Sequence, residues 1–191
     1  MKFRSFILTI AALLTFSVFA AAQEDIHRVE GFAGYSFLRT DGEDANGDRI
    51  NAHGFNGSIT GNFHRYVGAK FDFSTHSKSF SDTTGTTPIS VDLRLNQFMG
   101  GVQFKDNQVG GGRLKPFAHI LVGVANLRAS ASGTTTGSAS ESDFAMAVGG
   151  GLDVRASKHI DIRIFQADYN PIFTEGDRSN NFRLGFGIVF H

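Results

Sequence analysis

Cysteine and tryptophan are absent from the 191 residues, and proline occurs only three times. Without cysteine there is no disulfide framework, thiolate zinc site, iron–sulfur cluster or cysteine nucleophile. Charge of one sign is not in excess either. Lys and Arg number 18 against 18 Asp and Glu, and no basic run occurs, so the electrostatic footprint of a nucleic-acid binder is missing. Beyond residue 22 no stretch approaches the roughly 18 consecutive apolar residues of a transmembrane helix. What the chain does have is 23 glycines and 20 phenylalanines, a pairing foreign to an ordinary soluble enzyme.

The amino terminus reads as an export signal. Lys2 and Arg4 form a basic start, residues 6–19 are almost wholly apolar, and Ala20-Ala21-Ala22 supplies small residues for cleavage before Gln23. The expected organisation is therefore a signal peptide over residues 1–22 and one mature domain over residues 23–191. Loss of Lys2 and Arg4 leaves that domain slightly acidic.

The mature chain alternates. Phe55, Gly57, Ile59, Gly61 and Phe63 share one face of a two-residue period, and Asn56, Ser58, Thr60 and Asn62 share the other. The same test gives eight segments, 29–38, 54–63, 67–75, 91–104, 116–127, 144–155, 160–169 and 182–190. Each is near the 9–11 residues or so that a tilted strand needs to cross a bilayer. Parity changes within two of them, which suggests a β-bulge near Asn96/Gln97 and another near Ile164/Phe165. The connections 39–53, 76–90, 128–143 and 170–181 are long and polar. Those at 64–66 and 156–159 are tight, and 105–115 is intermediate. This is the layout of an all-β, eight-stranded antiparallel up-and-down transmembrane β-barrel.

The two faces decide between a soluble and a membrane barrel. One row is Phe, Ile, Leu, Val, Ala and Gly; the other mixes glycines with both signs of charge. A lipid-facing apolar row around a small-and-charged lumen accounts for both, because only small residues leave room for long ones inside eight strands. Lys70, Asp72, Arg94, Asp153, Arg155, Arg163, Asp168 and Arg183 are the expected lumen ion-pair network, closing the barrel or lining a narrow polar path. A lipocalin-type soluble barrel would place the charged row in water, and it normally carries a tryptophan that this chain lacks.

Several stretches carry a resemblance: Phe32-Ala33-Gly34-Tyr35-Ser36-Phe37-Leu38, Ala69-Lys70-Phe71-Asp72-Phe73, Pro116-Phe117-Ala118-His119, Gly149-Gly150-Gly151-Leu152-Asp153, Gln166-Ala167-Asp168-Tyr169 and the alternating last strand. In this order they resemble the small eight-stranded outer-membrane barrels, the OmpA-like transmembrane or outer membrane protein β-barrel domain family. The resemblance implies residence in the outer membrane as a monomer, contact with outer-membrane lipid and lipopolysaccharide, and no cofactor. It also implies that the barrel assembly machinery reads the terminal strand through Phe182, Leu184, Phe186, Ile188 and Phe190. Here His191 follows the last aromatic and shifts that signal by one. The peptidoglycan-binding domain of full-length OmpA-type proteins is not present in this sequence.

No catalytic or metal site is nominated. His119 lies in a strand without an evident serine partner, and His53, His64, His76, His159 and His191 fall in connections or at the end. Asp41–Asp48 resembles a calcium loop, but aligning its Asn46-Gly47 puts Gly42 and His53 at ligand positions, so an acidic turn fits better. The expectation is a non-enzymatic structural or surface-interaction protein acting through four long loops. The alternatives are a narrow porin-like channel and a lipid A-modifying enzyme.

Overall fold

Strand-long alternation of apolar and polar side chains can bury only one face of a sheet, and closing the sheet on itself gives each face its own environment. The computed structural model describes residues 25–43, 49–84, 87–132, 137–174 and 176–191; the expected signal peptide and most of the acidic segment 41–48 lie outside them. The strands are β1 (Val29–Glu43), β2 (Arg49–His64), β3 (Val67–Thr84), β4 (Thr87–Lys105), β5 (Leu114–Ser132), β6 (Gly137–Arg155), β7 (Ile160–Thr174) and β8 (Asp177–Phe190). Each pairs antiparallel with the next, and β8 pairs with β1, closing an eight-stranded barrel without a free edge. The fold class is the expected one.

The strands outrun their expected lengths chiefly at one end, by no more than two residues at the other. Much of what reads as long polar loop is strand: β3 and β4 pair without interruption to Thr84↔Thr87, and β5 and β6 to Ala131↔Gly137. The four long connections are thus hairpins standing on one rim, and short turns join the strands at the other.

The expected bulge near Asn96/Gln97 is absent, because β4 keeps one register along its whole length against both neighbours. The parity change there has another cause. Below that level the outer face of β4 carries Phe104, Val102, Gly100 and Phe98, and above it Asn96, Arg94 and Asp92. The inner face changes in the opposite sense, from Lys105, Gln103 and Gln97 to Leu95, Leu93 and Val91. β2 does the same: Phe63, Ile59 and Phe55 give way outside to His53, Asn51 and Arg49, while Asn62, Thr60 and Asn56 give way inside to Ala52 and Ile50. One unbroken strand crosses two solvents, apolar outside within the belt and polar outside beyond it.

The other expected bulge is present. Register slips between Arg163 and Gln166 against β8, and between Leu152 and Asp153 against β6. The extra residue lets Ile164 and Phe165 both stay exposed on the belt while Arg163 and Gln166 both turn inward.

Glycine is required where β1 meets β8. Gly34 and Gly187 are register partners; a Cβ on Gly34 would fall 2.2 Å from the Phe186 carbonyl oxygen, and one on Gly187 2.3 Å from that of Ala33. The bare backbone there leaves room for Phe32 to turn into the lumen. In the connection after β4, Gly110 has φ of +76°, a left-handed conformation suited to glycine.

Candidate functional site

The inward row of the eight strands meets in a buried network that runs along the barrel axis. Nearest the short turns, Lys105 Nζ lies 2.6 Å from Glu30 Oε2 and 2.9 Å from Asp153 Oδ2. Arg163 grips the same Asp153 with both arms of its fork, Nε to Oδ1 at 2.8 Å and Nη2 to Oδ2 at 3.1 Å. Its guanidinium lies over the rings of Phe32 and Phe117, 4.2 and 4.1 Å from their centroids, so two inward aromatics each give the cation a π face.

A glutamine bridge carries the network upward. Arg163 Nη1 donates to Gln166 Oε1 at 2.7 Å, and Gln166 Nε2 donates to Asp168 Oδ2 at 2.7 Å. Arg183 then sits between two carboxylates. Its Nε and Nη2 donate to Asp168 Oδ2 at 2.9 and 2.8 Å, and its Nη1 donates to Asp72 Oδ1 at 2.8 Å and to Ser74 Oγ at 3.1 Å. His119 Nε2 lies 3.0 Å from Asp168 Oδ1, and its Nδ1 lies 3.4 Å from Lys70 Nζ. The cations Lys70, Lys105, Arg163 and Arg183 face the anions Glu30, Asp72, Asp153 and Asp168, so the formal charges balance. All eight are buried.

Above the ions the contacts become neutral. Ser74, Gln97 and Asn170 form a chain across the lumen, with Gln97 Nε2 donating to Asn170 Oδ1 at 2.7 Å. Ala125, Ala145 and Ile172, with Leu95 packed against them, form an apolar layer over it. Past this layer the hairpins enclose a cup of about 260 Å³, whose wall includes Leu38, Leu93 and Leu127 and whose rim includes Lys78, Glu141 and Asp143.

Of the residues expected in the network, Lys70, Asp72, Asp153, Arg163, Asp168 and Arg183 are brought together. Arg94 is not: it lies on the exposed face of β4 beyond the belt, opposite Arg128. Arg155 lies at the short-turn rim, where its Nη1 donates to the Gly111 carbonyl at 2.7 Å. Glu30 and Lys105 join the network from strand ends, outside the expected set; their one signal in the sequence is the parity that Glu30 shares with Gly34 and Ser36, and Lys105 with Gln103. His76, expected in a connection, is on β3 facing inward with its Nε2 2.8 Å from Ser36 Oγ. Ser36 is fully buried and is not part of the cup wall, and no described carboxylate hydrogen-bonds His76 Nδ1. This pair closes a lumen hydrogen bond at the base of the cup, whose lining includes His76.

The hairpins are tied at the rim by Asp41, which accepts hydrogen bonds from Ser179 Oγ and the Asn180 backbone N–H, both at 2.6 Å, and from Asn180 Nδ2 at 3.1 Å. Partial burial pushes the Asp41 carboxyl up, but these three donors outweigh it and hold its pKa below the ordinary carboxylate value. Asp41 is therefore committed to β8, while residues 44–48 of the expected calcium-like segment lie outside the described ones. Among the described residues no group of three or more His, Asp or Glu is placed to hold a metal ion.

On the terminal strand Phe182, Leu184, Phe186, Ile188 and Phe190 all stand exposed on the outer face. His191 turns the other way. Its backbone N–H donates to the His159 carbonyl at 3.0 Å and its Nε2 lies 2.9 Å from Asp161 Oδ2, so Phe190 remains the last residue of the belt.

The sequence profile of the outer membrane protein β-barrel domain matches residues 8–190. No curated protein matches by sequence. Among solved structures the fold is similar to Ail, the attachment invasion locus protein of Yersinia pestis, at 23% identity and a TM-score of 0.59, covering 86% of this chain and 100% of that one. It is similar to neisserial surface protein A at 13% identity and a TM-score of 0.57, covering 87% and 99%. OprG, an outer membrane protein of Pseudomonas aeruginosa, aligns at 10% identity and a TM-score of 0.55, covering 88% and 98%.

Proposed function

This chain belongs to the outer membrane protein β-barrel domain family, and on that premise we propose that it is a surface-interaction or structural protein of the outer membrane, non-enzymatic, with a lumen plugged by its own ion pairs. The outer membrane is its place of residence, and the belt of exposed Phe, Ile, Leu and Val side chains is its lipid contact. In this reading residues 1–22 direct export and are removed, and the short turns face the periplasm while the long hairpins face outward. The barrel assembly machinery reads the Phe182–Phe190 face of β8.

The observation that carries the reading is the inversion of the faces along unbroken strands. Arg49, Asn51 and His53 on β2, and Asp92, Arg94 and Asn96 on β4, clothe a collar that is built for water and rises beyond the lipid belt. Strand-rigid hairpins of this kind present side chains in fixed positions, which favours recognition over a merely solvated loop. Ail, a fold neighbour, was solved in complex with the heparin analogue sucrose octasulfate, so a barrel of this fold is compatible with ligand binding. The plug rests on the balanced Glu30–Lys105–Asp153–Arg163 and Asp168–Arg183–Asp72 chain.

Planar-bilayer recording of the purified, refolded protein tests the plug. Silent membranes are the expected result, and discrete conductance steps would replace this reading with that of a narrow channel. Binding of outer-surface ligands to cells that display the protein, compared with cells displaying a variant shortened in the β3–β4 hairpin, tests the role of the collar. Equal binding by both would refute it.

A further inference from the structure

The short-turn mouth holds a concentration of positive charge that the lumen network does not use. The segment 25–28 runs across this mouth as a strap, with Ile26 bridged to Gln108, the His27 N–H donating to the Asn107 carbonyl at 3.0 Å and the Val109 N–H to the Asp25 carbonyl at 2.8 Å. Beside the strap lies a bowl of about 930 Å³, walled by Arg113, Arg155, Lys158, His27, His159 and His191 together with small and backbone groups, and by no acidic side chain.

The nearby carboxylates are already taken. Asp161 is paired with Lys115 at 3.2 Å and with His191, Asp106 with Arg65 at 3.1 Å, and Glu30 and Asp153 with Lys105 inside the barrel. No described acidic side chain comes within ion-pair distance of Arg113, Arg155 or Lys158. Even a free carboxylate at the end of the chain on His191 would leave the fixed charge of the bowl positive.

The bowl is also built. The Arg155 N–H donates to the Arg113 carbonyl at 2.9 Å, which sets the two arginines side by side, and the Arg155 side chain is anchored on the Gly111 carbonyl at 2.7 Å. With one arm so fixed, Arg155 Nη2 is shielded and has no hydrogen-bond partner among the described residues. On the open wall the exposed Arg113 guanidinium and Lys158 ammonium suit an oxyanion, and a phosphate offers several acceptors to such donors. His27 and His191, stacked with centroids 4.1 Å apart, form one rigid wall.

We propose that this bowl is an anion site that takes a phosphate-bearing ligand. The proposal goes beyond the surface role of the hairpins and is independent of whether the lumen conducts. In the membrane the phosphate could come from a phospholipid headgroup of the adjoining leaflet or from a soluble phosphate compound, and the experiment separates the two sources.

Full-length refolded protein in phosphatidylcholine nanodiscs is titrated with tripolyphosphate by calorimetry. The expected result is one site, weakened by salt and weakened roughly tenfold or more in R113Q/K158Q, since two of its three fixed cations are gone. Both substitutions are at exposed positions, and a retained mobility difference between boiled and unboiled samples confirms that the variant is folded. R94Q/R128Q, which removes the basic pair at the opposite rim, is expected to bind as the wild type does. Loss of the tripolyphosphate heat in nanodiscs doped with phosphatidylglycerol assigns the site to a lipid headgroup, and persistence assigns it to a soluble anion. Absence of binding to the wild type, equal binding by R113Q/K158Q, or loss of binding in R94Q/R128Q would each overturn the proposal.

Discussion

Removing Arg183 should be the most damaging single change in the lumen. Arg183 is 1% exposed and donates to Asp72, Asp168 and Ser74 at 2.8–3.1 Å, so Arg183→Met preserves the length of the stem but takes the shared cation from between two buried carboxylates. Lys70 and His119 contact this cluster too, but a lysine contributes only one charge against two anions. Breaking a buried pair by removing one partner costs about 3–5 kcal/mol, because the remaining charge is neither solvated nor compensated. The triple variant R183M/D72N/D168N removes the uncompensated charge and should recover at least half of that loss. Urea unfolding in phospholipid vesicles, followed by the mobility difference of folded and unfolded barrel, gives both numbers. An R183M barrel within about 1 kcal/mol of wild type, or a triple variant no more stable than R183M, would refute the charge-compensation account.

The belt boundary makes a paired prediction: Phe71→Arg, at mid-height of the belt, should destabilise the barrel by about 2–4 kcal/mol in lipid, whereas Asn96→Arg, one step beyond the belt, should change it by under about 1 kcal/mol, as read by the same unfolding assay. His27 makes a pH prediction. Burial above all, with His191 and Lys115 adding to it, lowers its pKa from 6.5 to about 4, so between these values the unfolded chain takes up a proton that the folded one refuses. Folding stability should therefore fall as pH drops from about 6.5 towards 4, and His27→Asn should flatten that slope; identical slopes in the two proteins would count against it. Asp41→Asn should loosen the tie between β1 and β8 at the hairpin rim, seen as faster amide hydrogen exchange at Asn180, while leaving the belt strands protected.

Much of the barrel was legible in one dimension, because a two-residue period is a local property and the chemistry of each face is written into its row. Phe182 to Phe190 declares its outer face without reference to any other strand. The same holds for Lys70 and Asp72, whose parity against Phe71 and Phe73 marks them as inward. The bulge at Ile164/Phe165 could be read for the same reason, since two consecutive apolar residues must both reach the belt.

The apparent bulge at Asn96/Gln97 shows where local reading stops. An inserted residue and a passage from lipid to water produce the same parity change along a single strand, and only the unbroken pairing of β4 with β3 and β5 tells them apart. That register moves Arg94 from the lumen to the outside and turns much of the long polar connections into hairpins. The charge partners belong to the same class. The sequence alone determined that the inward row carries charges of both signs, because parity and composition need no partner; their balance needs Glu30 and Lys105 in the lumen and Arg94 and Arg155 out of it. Only the closed barrel decided that Arg183 would meet Asp72, 111 residues away, that Glu30 and Lys105 would complete the network, and that Arg113, Arg155 and Lys158 would face one bowl. Which charges meet across a lumen depends on strand stagger and closure, and those are set by all eight strands together.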